Sequence, residues 1–558
     1  MQATATTPTR TASIATGLVA GVAALGLGEL VGSFQSTWRS PVVGVADATI
    51  ERVPNSVKDF AIEQFGKNDK IALIVGILFF SVIFAAVLGL VSRRRPRLAM
   101  GGFVAFALVG ILASQQSYTS SFAAVLPSIA AGLAGVATIA ALRGWNTVRS
   151  DTPATAARAA DEIEGVNAAE TPATDTPAAD TTAADPVAQP ELVSAAAPSA
   201  TRRMFLATAG AIAVVGAGAA AGGRALRSRF SAAGSRTDVV LPSAAEPLAQ
   251  APAGVSVDLE GVSSFYTPND DFYRIDTAVE VPQVLAEDWT LRIHGMVDRE
   301  VTFTFDDLLR RNLVEQDITL TCVSNTVGGG LTGTARWLGV PLRELLDEAG
   351  VQAGADQLVG RSVDGWTSGF PVETLDDDRP AMLAIGMNGE PLPLEHGFPA
   401  RVIVSGIYGY VSATKWITEF ELTTFDKFDA YWVERNWDDR APIKLMSRID
   451  TPRSLQKVAA GTINIGGVAW AQTIGIAKVE VQLDDGDFVE ATLADELNVH
   501  TWRLWSVQVE ASEPRRHRVT VKATDNDGNV QTDERADPFP NGASGWMSVL
   551  FEVTGAGA

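Results

Sequence analysis

The sequence predicts a multi-domain chain: N-terminal transmembrane α-helices, then an α+β domain, then a β-sandwich. Three observations lead there. Apolar runs of membrane-spanning length crowd the chain up to Gly222. Near Leu241 the composition turns from Ala, Gly, Val and Leu to Trp, Phe, Asp and alternating runs. The tail from Ala441 to Val553 breaks into short alternating stretches separated by turns such as Asp484-Asp485-Gly486 and Asp527-Gly528.

Four runs have the length of a membrane helix or nearly so: Ser13–Phe34, Ile71–Val91, Leu98–Ala113 and Phe122–Leu142, the third being the shortest. A fifth, Met204–Gly222, is mostly Ala and Gly and follows Arg202-Arg203-Met204-Phe205-Leu206, which reads as a twin-arginine export signal inside the chain. Arg93, Arg94, Arg95 and Arg97 sit between the second and third runs, and the positive-inside rule assigns them to the cytoplasm. The N-terminus and the segment from Arg143 to Arg203 are then cytoplasmic, and everything beyond the fifth run lies outside. The twin-arginine pair demands the same side; Arg224, Arg227 and Arg229 argue mildly against it. This divides the first half into an anchor (1–149), an Ala/Thr/Pro/Asp linker (150–200) too poor in large apolar residues to fold, the signal or fifth span (201–223) and a second linker (224–254). Ala219-Ala220-Ala221 offers a cleavage site after that span.

Charge and rare residues narrow the function. Up to Ala244 there are 19 Lys+Arg against 16 Asp+Glu, so of the totals of 44 and 65 the rest holds 25 against 49. The net charge of −21 therefore belongs to the second half, and nucleic acid, which needs cations against its phosphates, is a poor partner. The single cysteine, Cys322, excludes an internal disulfide framework, a thiolate iron–sulfur cluster, a CxxCH haem and a Cys-type zinc site. His294, His396, His500 and His517 all follow the last apolar run, so paired histidines cannot hold a haem in the anchor.

In the second half, Trp289–Val297 alternates like a strand entering a core, and Phe305-Asp306-Asp307 reads as a helix start within 304–311. Asp317–Asn325 carries Ile318, Leu320 and Cys322 in alternation before Gly328-Gly329-Gly330, which places Cys322 at a strand end beside a loop that lets a bulky ligand approach.

Four stretches then make a specific pattern: TLTCVSN at Thr319–Asn325, TARWLGVPLRELL at Thr334–Leu346, MNGEPLPLEHGFPARVIV at Met387–Val404 and ATKWI at Ala413–Ile417. Their order and spacing resemble the sulfite oxidase family, which includes assimilatory nitrate reductases and a periplasmic methionine-sulfoxide reductase. The resemblance implies a molybdenum–molybdopterin cofactor, in a domain at 255–435, followed at 436–558 by an immunoglobulin-like sandwich through which relatives dimerise. It implies Cys322 as metal ligand, and Arg274 or Arg336 is the expected catalytic cation in place of two that this chain lacks. It also implies cofactor binding by Phe272, Tyr273, Asn325, Asp364, His396, Arg401, Ser412, Thr414 and Lys415. The chemistry agrees: a soft thiolate suits molybdenum, and a pterin phosphate wants cations and hydroxyl donors.

There are departures. The family's sulfite oxidisers carry an Arg where this chain has Ile275 and a His where it has Thr277, and arginines where Thr326 and Val327 follow Cys322. An anionic substrate wants converging cations, so sulfite-type oxidation and sulfoxide- or nitrate-type reduction both stay open. So does a non-catalytic membrane-tethered binding protein. No haem, iron–sulfur or flavin group is expected, so electrons pass to a separate cytochrome or quinone-linked partner; the remaining expected partners are the bilayer and a second copy.

Overall fold

The computed structural model describes residues 9–54, 57, 60–61, 64–65, 69–115, 122–146 and 200–554. The expected linker at 150–200 falls almost wholly outside them. The chain divides into two compact units: residues up to Val45, Ile71–Ser114 and Ala123–Leu226 in one, and Ala46–Lys70, Gln115–Phe122 and Arg227–Ala558 in the other.

The first unit is helical: α1 (Arg10–Gly32), most of α2 (Asp69–Ser92), α3 (Pro96–Ser114), α4 (Leu126–Asn146) and α5 (Ala200–Arg227). Among the described residues five helices are long and apolar enough to cross a membrane. Small residues set their packing: a side chain on Gly17 would stand 2.7 Å from the Gly89 Cα, and one on Gly26 would strike Gly216. Ala20, Ala24, Leu88, Ala99, Phe103, Ala131 and Ile139 form the inner contact, whereas Phe79, Phe80, Val214 and Val215 are left exposed. Close contacts at small residues, with Phe79 and Phe80 turned outward, suit helices that meet an apolar surrounding.

The second unit takes in, from Arg227 on, most of the stretch expected as a linker at 224–254, and that stretch packs on it. Ala232 is buried in the main core, Arg236 donates to the carbonyls of Pro391 and Leu392, and Ala245 N–H donates to Leu313 O. The segment satisfies its backbone on the domain and is part of it.

Two sheets build the middle of the chain. One runs β2 (Val301–Thr304), β1 (Thr290–Gly295), β10 (Ile417–Thr423), β5 (Gln357–Ser362), β6 (Thr367–Pro371), with β1 and β10 parallel. The other runs β3 (Val314–Thr321), β4 (Thr332–Pro341), β7 (Ala381–Met387), β8 (Glu390–Pro391), with β9 (Arg401–Val404) also on β7. Three short helices interrupt them: α6 (Phe305–Leu309), α7 (Leu342–Ala349) and α8 (Gly409–Ser412). α6 starts as the sequence predicts, with Thr304 and Asp307 in a reciprocal cap. Trp289, Trp337, Phe398 and Phe420 anchor the shared core.

The last region holds two further sheets. One is β11 (Met446–Thr451), β13 (Gly461–Trp470), β17 (Arg503–Ala511), β16 (Thr492–Leu493). The other is β12 (Lys457–Ala459), β19 (Met547–Thr554), β18 (Arg516–Asp525), β14 (Ile476–Leu483), β15 (Phe488–Glu490). Their inward residues, among them Ile465, Val479, Trp505, Val521 and Phe551, make one common core. The boundary at 436 is not sharp, because Trp470, Trp502 and Leu504 belong to the main core.

Candidate molybdenum-cofactor site

Strand parity places Cys322. β3 pairs antiparallel with β4, so Asp317/Arg336, Thr319/Thr334 and Thr321/Thr332 stand opposite each other on one face. Ile318, Leu320 and then Cys322 lie on the other face, with Gly333, Ala335 and Trp337 of β4. The Cys322 N–H continues the ladder to Leu331 O at 2.9 Å, and the intervening loop is closed by Leu331 N–H to Asn325 Oδ1 at 2.8 Å. Asn325 therefore shapes the cysteine loop from a buried position.

Gly333 is where the second motif meets this face. A side chain there would stand 2.9 Å from the Phe272 ring, so the absence of Cβ lets Phe272 lie on the strand. Phe272 packs edge-on against Trp337 (5.9 Å between centroids) and His396 (5.6 Å), and stacks with Tyr273 (5.3 Å). His396, Arg401 and Lys415 converge behind it. Gly397, at φ +111°, makes the turn that brings them together: a Cβ there would lie 3.0 Å from Lys415 Cβ and 3.1 Å from Arg401 Cβ.

The electrostatics of this cluster are unusual. Arg401 is buried; its Nη atoms donate to the carbonyls of His396 (3.1 Å) and Ala413 (3.4 Å), its Nε has no partner, and its guanidinium lies 5.3 Å from the Trp337 ring. Burial pulls its pKa down to about 10. No carboxylate pairs with it among the described residues. Lys415 donates to Asp276 Oδ2 at 3.0 Å and to Glu395 O at 3.1 Å; burial lowers its pKa to about 8, with Asp276 pulling the other way. Burial would raise Asp276, but the charges of Lys415 and Lys70 and the hydrogen bond from Arg274 (2.9 Å) outweigh it and hold the carboxyl well below its usual range. Lys70 belongs to the same compact unit and gives its ammonium to both the carboxylate and the carbonyl of Asp276.

Cys322 is buried, which raises its thiol pKa; the backbone and side chain of Ser324 and the charge of Lys415 oppose the rise. Tyr273 and Tyr408 are both raised mainly by burial, with the Cys322 charge adding to the rise.

The expected residues do not all keep their expected parts. Arg336 is the clear correction. It stands opposite Asp317, five residues before Cys322, roughly 16 Å away at about 3.3 Å per residue, and on the other face of the sheet. Its guanidinium is taken by Asp317, Tyr266 Oη and the carbonyls of Leu248 and Ala249. It ties the 248–249 segment to the sheet. His396 is in the cluster as a neutral ring: burial and then the charges of Lys415 and Arg401 push its pKa down to about 3, and its Nε2–H goes to Asn269 O. Ser412 spends its hydroxyl on the carbonyls of Ile407 and Tyr408, while Thr414 shares a hydrogen bond with Ser368 at 2.5 Å. Asp364 caps the β5–β6 turn by accepting from Trp366 N–H, and the adjacent Val363 N–H donates to Trp416 O beside Lys415.

The sequence reading missed Asp276, Tyr408 and Arg448. Asp276 lies inside the TPNDDFYRIDT stretch, and a carboxylate among aromatic and cationic neighbours was the available signal. Arg448 comes from β11 and donates to Gly329 O at 3.2 Å in the cysteine loop, where nothing in the sequence pointed to it.

Residues 278–432 match the family model described as the oxidoreductase molybdopterin binding domain. The chain carries a sulfite oxidase-like molybdopterin oxidoreductase domain. It is 28% identical over 318 residues to the mitochondrial sulfite oxidase of Macaca fascicularis, covering 48% of this chain and 58% of that one. For the Drosophila melanogaster sulfite oxidase the figures are 27% over 366 residues, with 55% and 62% covered. For the NADH nitrate reductase of Solanum lycopersicum they are 26% over 318 residues, with 46% and 35% covered. The chain thus spans less than two thirds of these relatives.

The cofactor of the molybdopterin domain is molybdenum–molybdopterin, and the residues present fit it. A buried guanidinium with an orphaned Nε and no carboxylate is a costly arrangement that an anionic phosphate relieves. A buried thiol with a cation in range is a suitable soft ligand. Cys322 would hold the metal, and Arg401 and Lys415 the phosphate. When bound, the group supplies two-electron oxygen-atom chemistry.

Proposed function

We propose that the chain is a membrane-anchored molybdenum-cofactor oxidoreductase that carries out two-electron oxygen-atom transfer, of the sulfite-oxidising type, outside the cytoplasmic membrane. The observation that carries it is a buried Cys322 thiol that feels the charge of Lys415, on the sheet face whose Trp337 packs against the buried, carboxylate-free Arg401. Cys322 serves as metal ligand. Arg401 and Lys415 grip the phosphate, with Thr414 and the turn at Asp364 forming their floor. Phe272 and Tyr273 wall the pterin, Asn325 sets the cysteine loop, and Arg274 stays a candidate cation on the substrate side.

The domains read as an anchor to 149, a linker to 200, a signal or fifth span at 201–223, a molybdopterin domain to 435 and an immunoglobulin-like sandwich to 558. Residues 227–254 go with the catalytic half. The proposed topology follows from charge: Arg93, Arg94, Arg95 and Arg97 assign the loop between the second and third apolar helices to the cytoplasm, and the Arg202-Arg203 pair asks for the same side.

One observation favours a second reading, reduction of an uncharged sulfoxide-type substrate. Ile275, Thr277, Thr326 and Val327 stand where sulfite oxidisers place cations.

Metal analysis of the purified protein tests the proposal first, with about one molybdenum per chain expected. A chain that binds none is a tethered binding protein. Turnover with sulfite against turnover with a neutral sulfoxide then separates the two directions.

A further inference from the structure

The molybdenum reading requires an electron partner, and one surface of the catalytic half suits it. Tyr410 of α8, Trp437 and Phe539 form a run of aromatic rings, with centroids 5.9 Å and then 5.3 Å apart; Trp432 joins Trp437 at 6.1 Å. The inner end meets the cysteine strand: the Cβ position of Gly409 lies 3.9 Å from the carbonyl oxygen of Thr321, the residue before Cys322. The neighbouring Tyr408 is buried, and burial together with the Cys322 charge pushes its phenol up to about 12.

The outer end is held in place and open. The turn carrying Phe539 is tied down by Asp438 N–H to Pro540 O (3.2 Å) and by Lys444 Nζ to Asn541 Oδ1 (2.9 Å) and Gly542 O (2.6 Å). Phe539 itself is 51% exposed. The two segments that meet there, 426–440 with Trp437 and 533–541 with Phe539, hold eight Asp+Glu against four Lys+Arg. Two of those cations are occupied on rings, Arg435 over Tyr431 and Arg440 over Phe425. Asp426, Asp429, Glu434, Asp533, Glu534 and Asp537 are exposed.

We propose that the Phe539–Trp437 surface, with its acidic rim, is the docking site of a separate, positively charged one-electron carrier protein. The proposal rests on the molybdenum reading. An exposed aromatic ringed by like charges marks a protein-recognition patch, and the rim selects a basic partner and speeds its encounter. Redox encounters bury little surface, so they do not need a large apolar patch. A membrane quinone would want an apolar cleft rather than a charged rim. In the oxidising direction, substrate takes one oxygen from water and releases two protons and two electrons; two oxidised carriers dock in turn, and each leaves with one electron.

The test uses the full-length protein in detergent, with lysine-rich cytochrome c as probe and an acidic cytochrome as control. The triple variant Glu534→Gln, Asp537→Asn, Asp439→Asn should bind the basic cytochrome about tenfold more weakly, and the parent's binding should weaken with salt. Phe539→Ala should slow cytochrome reduction while turnover with a small dye is unchanged. Equal binding by parent and triple variant, or equal binding of the acidic cytochrome, overturns the proposal. Binding is read without turnover, so it is separable from the molybdenum content of the same preparations, which reports on the underlying reading.

Discussion

Lys415 Nζ stands 3.0 Å from Asp276 Oδ2, and both side chains are nearly excluded from solvent. The lysine also reaches the Glu395 carbonyl, while the carboxylate is shared with Arg274 and Lys70. One carboxylate thus balances three cations, and Arg401 nearby has none. The surplus positive charge is what a phosphate monoester, with up to two negative charges, would neutralise.

This predicts a pH dependence with two signs. Lys415 has its pKa lowered to about 8, below the usual lysine value of 10.5. In the cofactor-free chain the folded state sheds this proton more readily than the unfolded one. Stability should therefore rise with pH between about 8 and 10.5, because the unfolded chain holds more protons there. Phosphate binding needs the charged lysine, so cofactor affinity should fall as pH passes upward through about 8. Unfolding midpoints of the cofactor-free protein and cofactor retention, followed from pH 7 to 10, should move in opposite directions.

Arg401→Ala should lower cofactor retention about tenfold or more, since a charge-assisted hydrogen bond contributes about 1.5–3 kcal/mol. The same change should not destabilise the cofactor-free chain through any lost ion pair, because Arg401 has no carboxylate partner. Full retention of pterin in Arg401→Ala and Lys415→Ala alike would remove both from the phosphate site.

Cys322→Ser replaces a polarisable thiolate by a poorly coordinating hydroxyl of similar size. Turnover should vanish and the molybdenum spectroscopic signature should change, with the unfolding midpoint little altered. A serine variant with parental turnover would refute the ligand assignment.

Arg448 spans from β11 to the cysteine loop, pairing with Asp450 (2.6 Å), Ser263 Oγ (2.9 Å) and Gly329 O (3.2 Å) while both charges are buried. Arg448→Met strands the carboxylate and should cost about 3–5 kcal/mol. Amide exchange at 326–331 should rise, and adding Asp450→Asn should recover part of the loss. An unchanged exchange pattern would mean the loop holds its shape without Arg448.

Replacing Arg202 and Arg203 by lysine should leave the first four apolar helices in the membrane and hold the catalytic half in the cytoplasm. A folded, cofactor-loaded domain cannot pass a channel for unfolded chains, so the proposed export of a loaded domain rests on the twin-arginine route. Protease added to spheroplasts would then spare the catalytic half of the double-lysine protein. Normal surface exposure of that variant would show that the arginines are ordinary positive-inside anchors.

The sequence alone determined what repeats along the chain. Apolar length marked five helices, alternation marked the strands of the second half, and four spaced stretches marked the molybdopterin domain with its cysteine. These signals are local, because helix length, pleat parity and turn residues act on near neighbours. The strand-end position of Cys322 was legible for that reason. Tertiary structure alone decided which polar groups meet. Arg336 looked like a site residue by its place in a stretch, but strand pairing sends it to the other face, opposite Asp317. Arg448 and Lys70 reach the cysteine loop and Asp276 from distant parts of the chain, and no spacing rule links them. The neutral state of His396 was equally out of reach, because it follows from burial beside Lys415 and Arg401 rather than from its own neighbours in sequence. Charge pairing depends on distances set by the fold, and a sequence carries those distances only through the packing it produces.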